Sequence, residues 1–188
     1  MKTVLITGAS SGIGLQLAKD YSRDGWRVIA CGRSLDKLNN ALDGFSVELV
    51  AFDVLNREDI LSALQHCGIP DLAILNAGNC EYIDQPRAFD ADLFERVMQT
   101  NVQGTVNCLA ALLPVMKKGS RIAIMSSSVT YLPLTRAEAC GASKAALDYL
   151  AHTLAIDLEP EGIDISLIRP GFVDTPLTQR NDFPMPGL

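Results

Sequence analysis

Six short apolar runs recur along this chain, near 2–7, 26–31, 46–51, 71–75, 120–126 and 163–168, with longer stretches of helical periodicity near 12–24, 34–43, 56–66, 89–117 and 137–159 between them. Runs such as Ala73-Ile74-Leu75 and Ile122-Ala123-Ile124-Met125 lack the alternation of a half-wet strand, so both of their faces need cover. A parallel sheet between two helical layers meets that need, and the expected fold class is α/β, a doubly wound six-stranded sheet. At 188 residues, 48% of them hydrophobic, the chain has the material for one such core, and a single domain over 1–188 is expected.

Right-handed crossovers bring the carboxyl ends of all the strands to one edge, where ligands bind. Gly8, Asp53, Asn76, Ser127 and Pro170 each follow a strand, so they converge on one crevice. At the first turn, Thr7-Gly8-Ala9-Ser10-Ser11-Gly12-Ile13-Gly14 leads from strand to helix. Glycines there let the backbone turn sharply and approach a pyrophosphate, while the helix N-terminus supplies a positive pole.

Charge and cysteine usage narrow the function. The formal charge of -6, from 16 basic and 22 acidic residues without a basic run, excludes a nucleic-acid surface. The cysteines at 31, 67, 80, 108 and 140 are odd in number and form no CxxC pair, and His66 and His152 stand apart, so neither disulfides nor zinc is expected. No apolar stretch has the length of a signal peptide or membrane span, which reads as a cytosolic protein with no membrane partner.

The Gly-x-x-x-Gly-x-Gly spacing at 8, 12 and 14, with Asn76-Ala77-Gly78 and Arg169-Pro170-Gly171, resembles the short-chain dehydrogenase/reductase family from Lys2 to about Leu177. The resemblance implies that Gly8, Ser10, Ser11, Gly12, Ile13 and Gly14 hold NAD(P), and that Asp53 and Val54 contact adenine. Asn76, Ala77 and Gly78 would steady the sheet beside the cofactor. Pro170, Gly171, Val173 and Thr175 would lie under the nicotinamide, with Thr175 also suited to cap a helix before Pro176. The second strand ends Ala30-Cys31-Gly32-Arg33 without a carboxylate for a free ribose 2'-hydroxyl. Arg33 offers a cation to a 2'-phosphate, so NADP(H) is favoured over NAD(H), the alternative being a solvated arginine.

By the same resemblance Asn101 anchors a proton-relay water, Ser127 orients the substrate oxygen, and Lys144 binds the nicotinamide ribose and lowers the pKa of a tyrosine four positions earlier. That position holds Cys140. A thiol is shorter and a weaker donor than a phenol, and neither Tyr131 nor Tyr149 matches the motif. The expected activity is therefore an NADP(H)-dependent interconversion of a carbonyl and a secondary alcohol, impaired at Cys140. The alternative is a non-catalytic NADP(H)-binding sensor or scaffold.

Helices 89–117 and 137–159 carry apolar positions beyond one buried stripe, including Val106, Leu109, Leu112, Leu113, Leu147, Leu150, Leu154 and Leu158, and a homodimer through them is expected. The ending Phe183-Pro184-Met185-Pro186-Gly187-Leu188 stops short of the family's substrate-covering segment and seventh strand, so an absent C-terminal piece is expected.

Overall fold

The computed structural model describes residues 1–180. Its sheet comprises β1 (Thr3–Thr7), β2 (Arg27–Gly32), β3 (Val47–Ala51), β4 (Leu72–Leu75), β5 (Arg121–Met125) and β6 (Asp164–Ile168) in the order β3-β2-β1-β4-β5-β6. Every neighbouring pair runs parallel, as in the registers Leu5↔Ile29 and Leu5↔Ala73. The chain builds outward from β1 to β3 and then crosses back to place β4 on the other side of β1. The carboxyl ends of β1 and β4 thereby open a crevice at the reversal of strand order.

Side-chain alternation along the central strands feeds two separate cores. Leu5, Ile29, Ala73, Leu75, Ile122 and Ile124 face one layer, where they meet Cys108, Leu109, Leu112, Leu147 and Ala151. Val4, Ile6, Val28 and Ala30 face the other, against Ala18, Leu38 and Leu42. Both faces are buried, so the apolar runs have no polar register to show, and each fully buried aliphatic contributes roughly 1.5–3 kcal/mol.

The helices are α1 (Gly12–Arg23), α2 (Leu35–Ala41), α3 (Arg57–Leu64), α4 (Ala91–Met98), α5 (Gly104–Leu112) and α6 (Glu138–Leu158). Local chemistry sets several starts. Ser34 accepts from the Lys37 amide ahead of α2, Asn56 from the Glu58 and Asp59 amides ahead of α3, and Asp90 from the Leu93 amide ahead of α4. Gly162, at φ 68°, ends the turn after α6 and lets the chain enter β6.

Two expectations need correction. The continuous helix expected over 89–117 is divided, with a wider π turn at Gln99–Gln103 between α4 and α5. Here the Asn101 carbonyl accepts from the Thr105 hydroxyl at 2.8 Å, and the Asn101 side chain is spent on Asn79 and Ser143. A period count does not register such an extra residue in one turn. The apolar positions read as a dimer face are also largely spoken for: Leu109, Leu112 and Leu147 are core residues, and Leu113, Leu150, Leu154 and Leu158 pack on that core. The large exposed apolar side chains of α6 are Tyr149 and Ile156. β6 pairs with β5 alone among the described residues, and the 183–188 ending lies outside them.

Candidate functional site

At the carboxyl edge of the sheet lies a cleft of about 490 Å³, a size typical of small-molecule sites. Gly8, Ser10, Ser11, Gly12, Ile13, Arg33, Asp53, Val54, Asn76, Ala77, Gly78, Ser127, Cys140, Lys144, Pro170, Gly171, Val173 and Thr175 all line it. Gly14 and Asn101 stand behind its wall.

The floor is a polar seam between the ends of β1 and β4. The Thr7 hydroxyl accepts from the Asn76 amide at 2.9 Å and the Ala77 amide at 3.0 Å, while the Asn76 side chain donates to the Thr7 carbonyl at 3.0 Å. Gly8 takes φ 68° beside this seam, and a Cβ there would stand 2.9 Å from the Ala77 Cα. A Cβ on Gly14 would strike the Gly8 carbonyl and stand 2.5 Å from Asn76 Nδ2. The two glycines therefore let helix, turn and strand end close on one another. Ser11 precedes α1 with extended backbone, and its hydroxyl does not cap the helix. The first-turn amides remain available to an anion at the positive end of α1.

Along one wall, Asp53 turns back on its own loop, its carboxylate accepting from the Leu55 amide at 3.0 Å. The Val54 carbonyl is fixed by the Asn107 side chain at 2.9 Å, a support from α5. Arg33 is exposed and forms no ion pair within the described residues. At the far end, the Thr175 hydroxyl accepts from the Thr178 amide at 3.3 Å. It thus caps the turn that runs into a short 3-10 helix at Thr178–Arg180.

Ser127, Cys140 and Lys144 meet at the opposite wall. Ser127 caps the turn after β5, its Oγ accepting from the Val129 amide at 3.2 Å. Lys144 donates to the Met125 carbonyl at 2.8 Å. Burial pushes its ammonium down to about 8, and the Asp148 charge pulls the other way. Asn101 is fully buried, with its side chain accepting from the Asn79 amide at 2.8 Å and donating to the Asn79 carbonyl and the Ser143 hydroxyl, both at 2.9 Å. A Cβ on Gly78 would stand 2.9 Å from Asn101 Oδ1 and 3.6 Å from Lys144 Nζ, so this glycine brings the loop after β4 down onto both. The Asn79 side-chain oxygen, at the cleft wall, is buried without a partner among the described residues.

The cysteines overturn an expectation. Cys80 and Cys140 are joined as a disulfide, with Cα atoms 5.5 Å apart across a sequence separation of 60. The expectation of no disulfide failed because spacing along the chain carries no information on this contact, which arises where the β4 loop meets the start of α6. Cys80 lies in the loop after β4. Cys31, Cys67 and Cys108 are free and buried. Burial pushes all three thiols up, Cys108 to about 12, with nearby thiols adding at Cys31 and Glu48 adding at Cys67.

Other residues of the site carried no sequence signal. Tyr82 lines the cleft under the Arg136 guanidinium, 5.6 Å from its ring, whereas Tyr131 and Tyr149 are exposed. Asp148 accepts from Ser126 and, at 2.8 Å, from Arg169 Nε. Burial resists its ionisation, but hydrogen bonds from Ser126, Arg169 and Thr130 and the Arg169 charge outweigh it and hold the carboxyl below its usual range. This cluster ties α6 to the segment after β6 immediately behind Lys144.

The family model for short chain dehydrogenases matches residues 2–184. The chain is 36% identical to an uncharacterized oxidoreductase of Myxococcus xanthus, the match covering 100% of this chain and 78% of the relative. It is 31% identical to serine 3-dehydrogenase of Rhizobium radiobacter, over 94% of this chain and 74% of that one. Among solved structures, BdcA in complex with NADPH superposes at a TM-score of 0.86 with 28% identity, over 94% of this chain and 73% of that one. Actinorhodin polyketide ketoreductase with NADPH gives 0.85 with 25% identity, over 94% and 72%.

Proposed function

Because the chain belongs to the short-chain dehydrogenase family and is an NAD(P)-dependent oxidoreductase, we propose that it interconverts a small carbonyl compound and a secondary alcohol, with NADP(H) as coenzyme. The coenzyme supplies or accepts the hydride; the chain binds, orients and manages the proton. Gly8, Gly12 and the uncapped start of α1 receive the pyrophosphate, Asp53 and Val54 flank the adenine, and Asn76, Ala77 and Gly78 hold the sheet end beneath. Pro170, Gly171, Val173 and Thr175 enclose the nicotinamide end, where the orphaned Asn79 oxygen offers a further acceptor. Lys144 binds the ribose hydroxyls and Ser127 the substrate oxygen. Asn101 positions this wall by fixing the Asn79 backbone.

The observation that carries the NADP(H) preference is Arg33, exposed at the cleft with no carboxylate partner among the described residues. A charge-assisted contact of about 1.5–3 kcal/mol corresponds to roughly 10- to 100-fold in affinity. Calorimetric titration of wild type and Arg33→Ala with NADPH and NADH tests this. The expected result is a loss of that size for NADPH with NADH unchanged; equal weakening of both overturns the preference.

A second reading, a non-catalytic NADP(H) sensor or scaffold, is favoured by one observation: in the disulfide, the Cys140 sulfur carries no proton to give. We place the protein in the cytosol as a homodimer, supported by exposed Tyr149 and Ile156 on one side of α6. Among the described residues no helix is long and apolar enough to cross a membrane. Sedimentation of wild type and Tyr149→Glu checks the dimer, which the substitution is expected to weaken.

A further inference from the structure

Two of the five cysteines stand apart from the others. Cys31, Cys67 and Cys108 lie under the sheet or helices, at 0%, 3% and 2% exposure, with their thiols held protonated by burial. Cys80 and Cys140 line the cleft half-buried, whereas Cys31 borders it at 0% exposure, and the pair is within bonding reach with Cα atoms 5.5 Å apart. That spacing suits a disulfide without backbone movement. Small solutes therefore reach the pair through the cleft but do not reach the other thiols.

The two sulfurs are not equivalent. Cys140 is the third residue of α6, a helix of 21 residues, where first-turn amides favour a thiolate. Lys144 follows one turn later on the same face, and the exposed Glu138 opposes it. Cys80 sits in the loop after β4 with no helix of its own. This asymmetry is that of an attacking thiol and a resolving one.

We propose that Cys80 and Cys140 form a reversible oxidation site whose oxidising substrate is a hydroperoxide, with Cys140 the attacking and Cys80 the resolving cysteine. The Cys140 thiolate attacks one peroxide oxygen, the O–O bond breaks, and the departing alkoxide or hydroxide takes up a proton, leaving a sulfenic acid on Cys140. The Cys80 thiol then attacks that sulfur, the S–O bond breaks, and the hydroxyl leaves with the Cys80 proton as water. Two thiols are oxidised by two electrons and one hydroperoxide is reduced to an alcohol, or to water, plus water. A small thiol reopens the bond by exchange. This inference goes beyond the proposed function and does not depend on it, since no coenzyme takes part.

The test is mass spectrometry of the full chain. Protein reduced with dithiothreitol, desalted and given one equivalent of hydrogen peroxide is expected to lose two hydrogens and to yield a peptide linking Cys80 to Cys140, with the other cysteines unmodified. Dithiothreitol under native conditions is expected to restore the mass. Cys80→Ser is expected to give a dimedone adduct on Cys140, and Cys140→Ser to leave Cys80 unlabelled. No mass loss, a link through another cysteine, a bond that native dithiothreitol fails to open, or dimedone labelling of Cys80 in Cys140→Ser would each overturn the proposal. Because none of these readouts needs a nucleotide, their failure leaves the coenzyme reading standing, and failure to bind coenzyme leaves this site untouched.

Discussion

Position 140 concentrates what single residues decide here. If the reduced thiol is only a poor proton donor, replacing Cys140 with tyrosine in a Cys80→Ser background adds a positioned general acid. Carbonyl-dependent NADPH oxidation is then expected to rise by about two to four orders of magnitude. Unchanged turnover, with coenzyme affinity retained, would support the sensor reading. Lys144 gives a second prediction. Its ammonium is held at about 8 when folded, against the ordinary 10.5, so between those values the unfolded chain keeps a proton that the folded chain has lost. Its contribution to stability therefore rises with pH across that window. Urea unfolding from pH 7.5 to 10.5 is expected to show this rise in wild type relative to Lys144→Met, and parallel curves would refute it. The placing of Gly8, Asn76 and Lys144 at the cleft was legible because each belongs to a short local motif. Thr7 was not, because its hydroxyl matters only once β1 and β4 lie side by side. Tyr82 was missed for the same reason, since nothing around it in the chain announces that it faces the cleft.

Between elements, strand positions were well determined by their apolar runs, each observed strand falling inside the expected range or one residue past it. The helix spanning Asn101 was not, since the π turn answers to contacts with Asn79 and Ser143. The helix expected near 137–159 is α6 at Glu138–Leu158, but its tie to the segment after β6 through Asp148 and Arg169 was not legible. Asp148 is held below its ordinary pKa of 3.8, so its contribution is fully present above that value and is lost as the pH falls below it through the lower folded value. Asp148→Asn is expected to lower stability at pH 7 by more than it does at pH 3. Chemical unfolding at the two pH values measures this, and an equal loss at both contradicts it.

For the whole molecule, the bond between Cys80 and Cys140 joins parts of the chain 60 residues apart. A cross-link over that length is worth up to about 4 kcal/mol by restricting the unfolded chain. The oxidised protein is expected to melt up to about 10 °C above the reduced one, as read by calorimetry with and without reductant. Identical melting would mean that the bond does not persist on heating or that strain cancels its effect. No pattern in the sequence foretold this link, because it depends on the strand order as a whole. That order also bears on how the protein is made. β1 leaves the ribosome ahead of β2, β3 and β4, and Leu72, the register partner of Val4, follows long after it. A nascent chain that has released only β1, β2 and β3 exposes the bare flank of its central strand until β4 emerges, an interval in which that edge is open to wrong pairing.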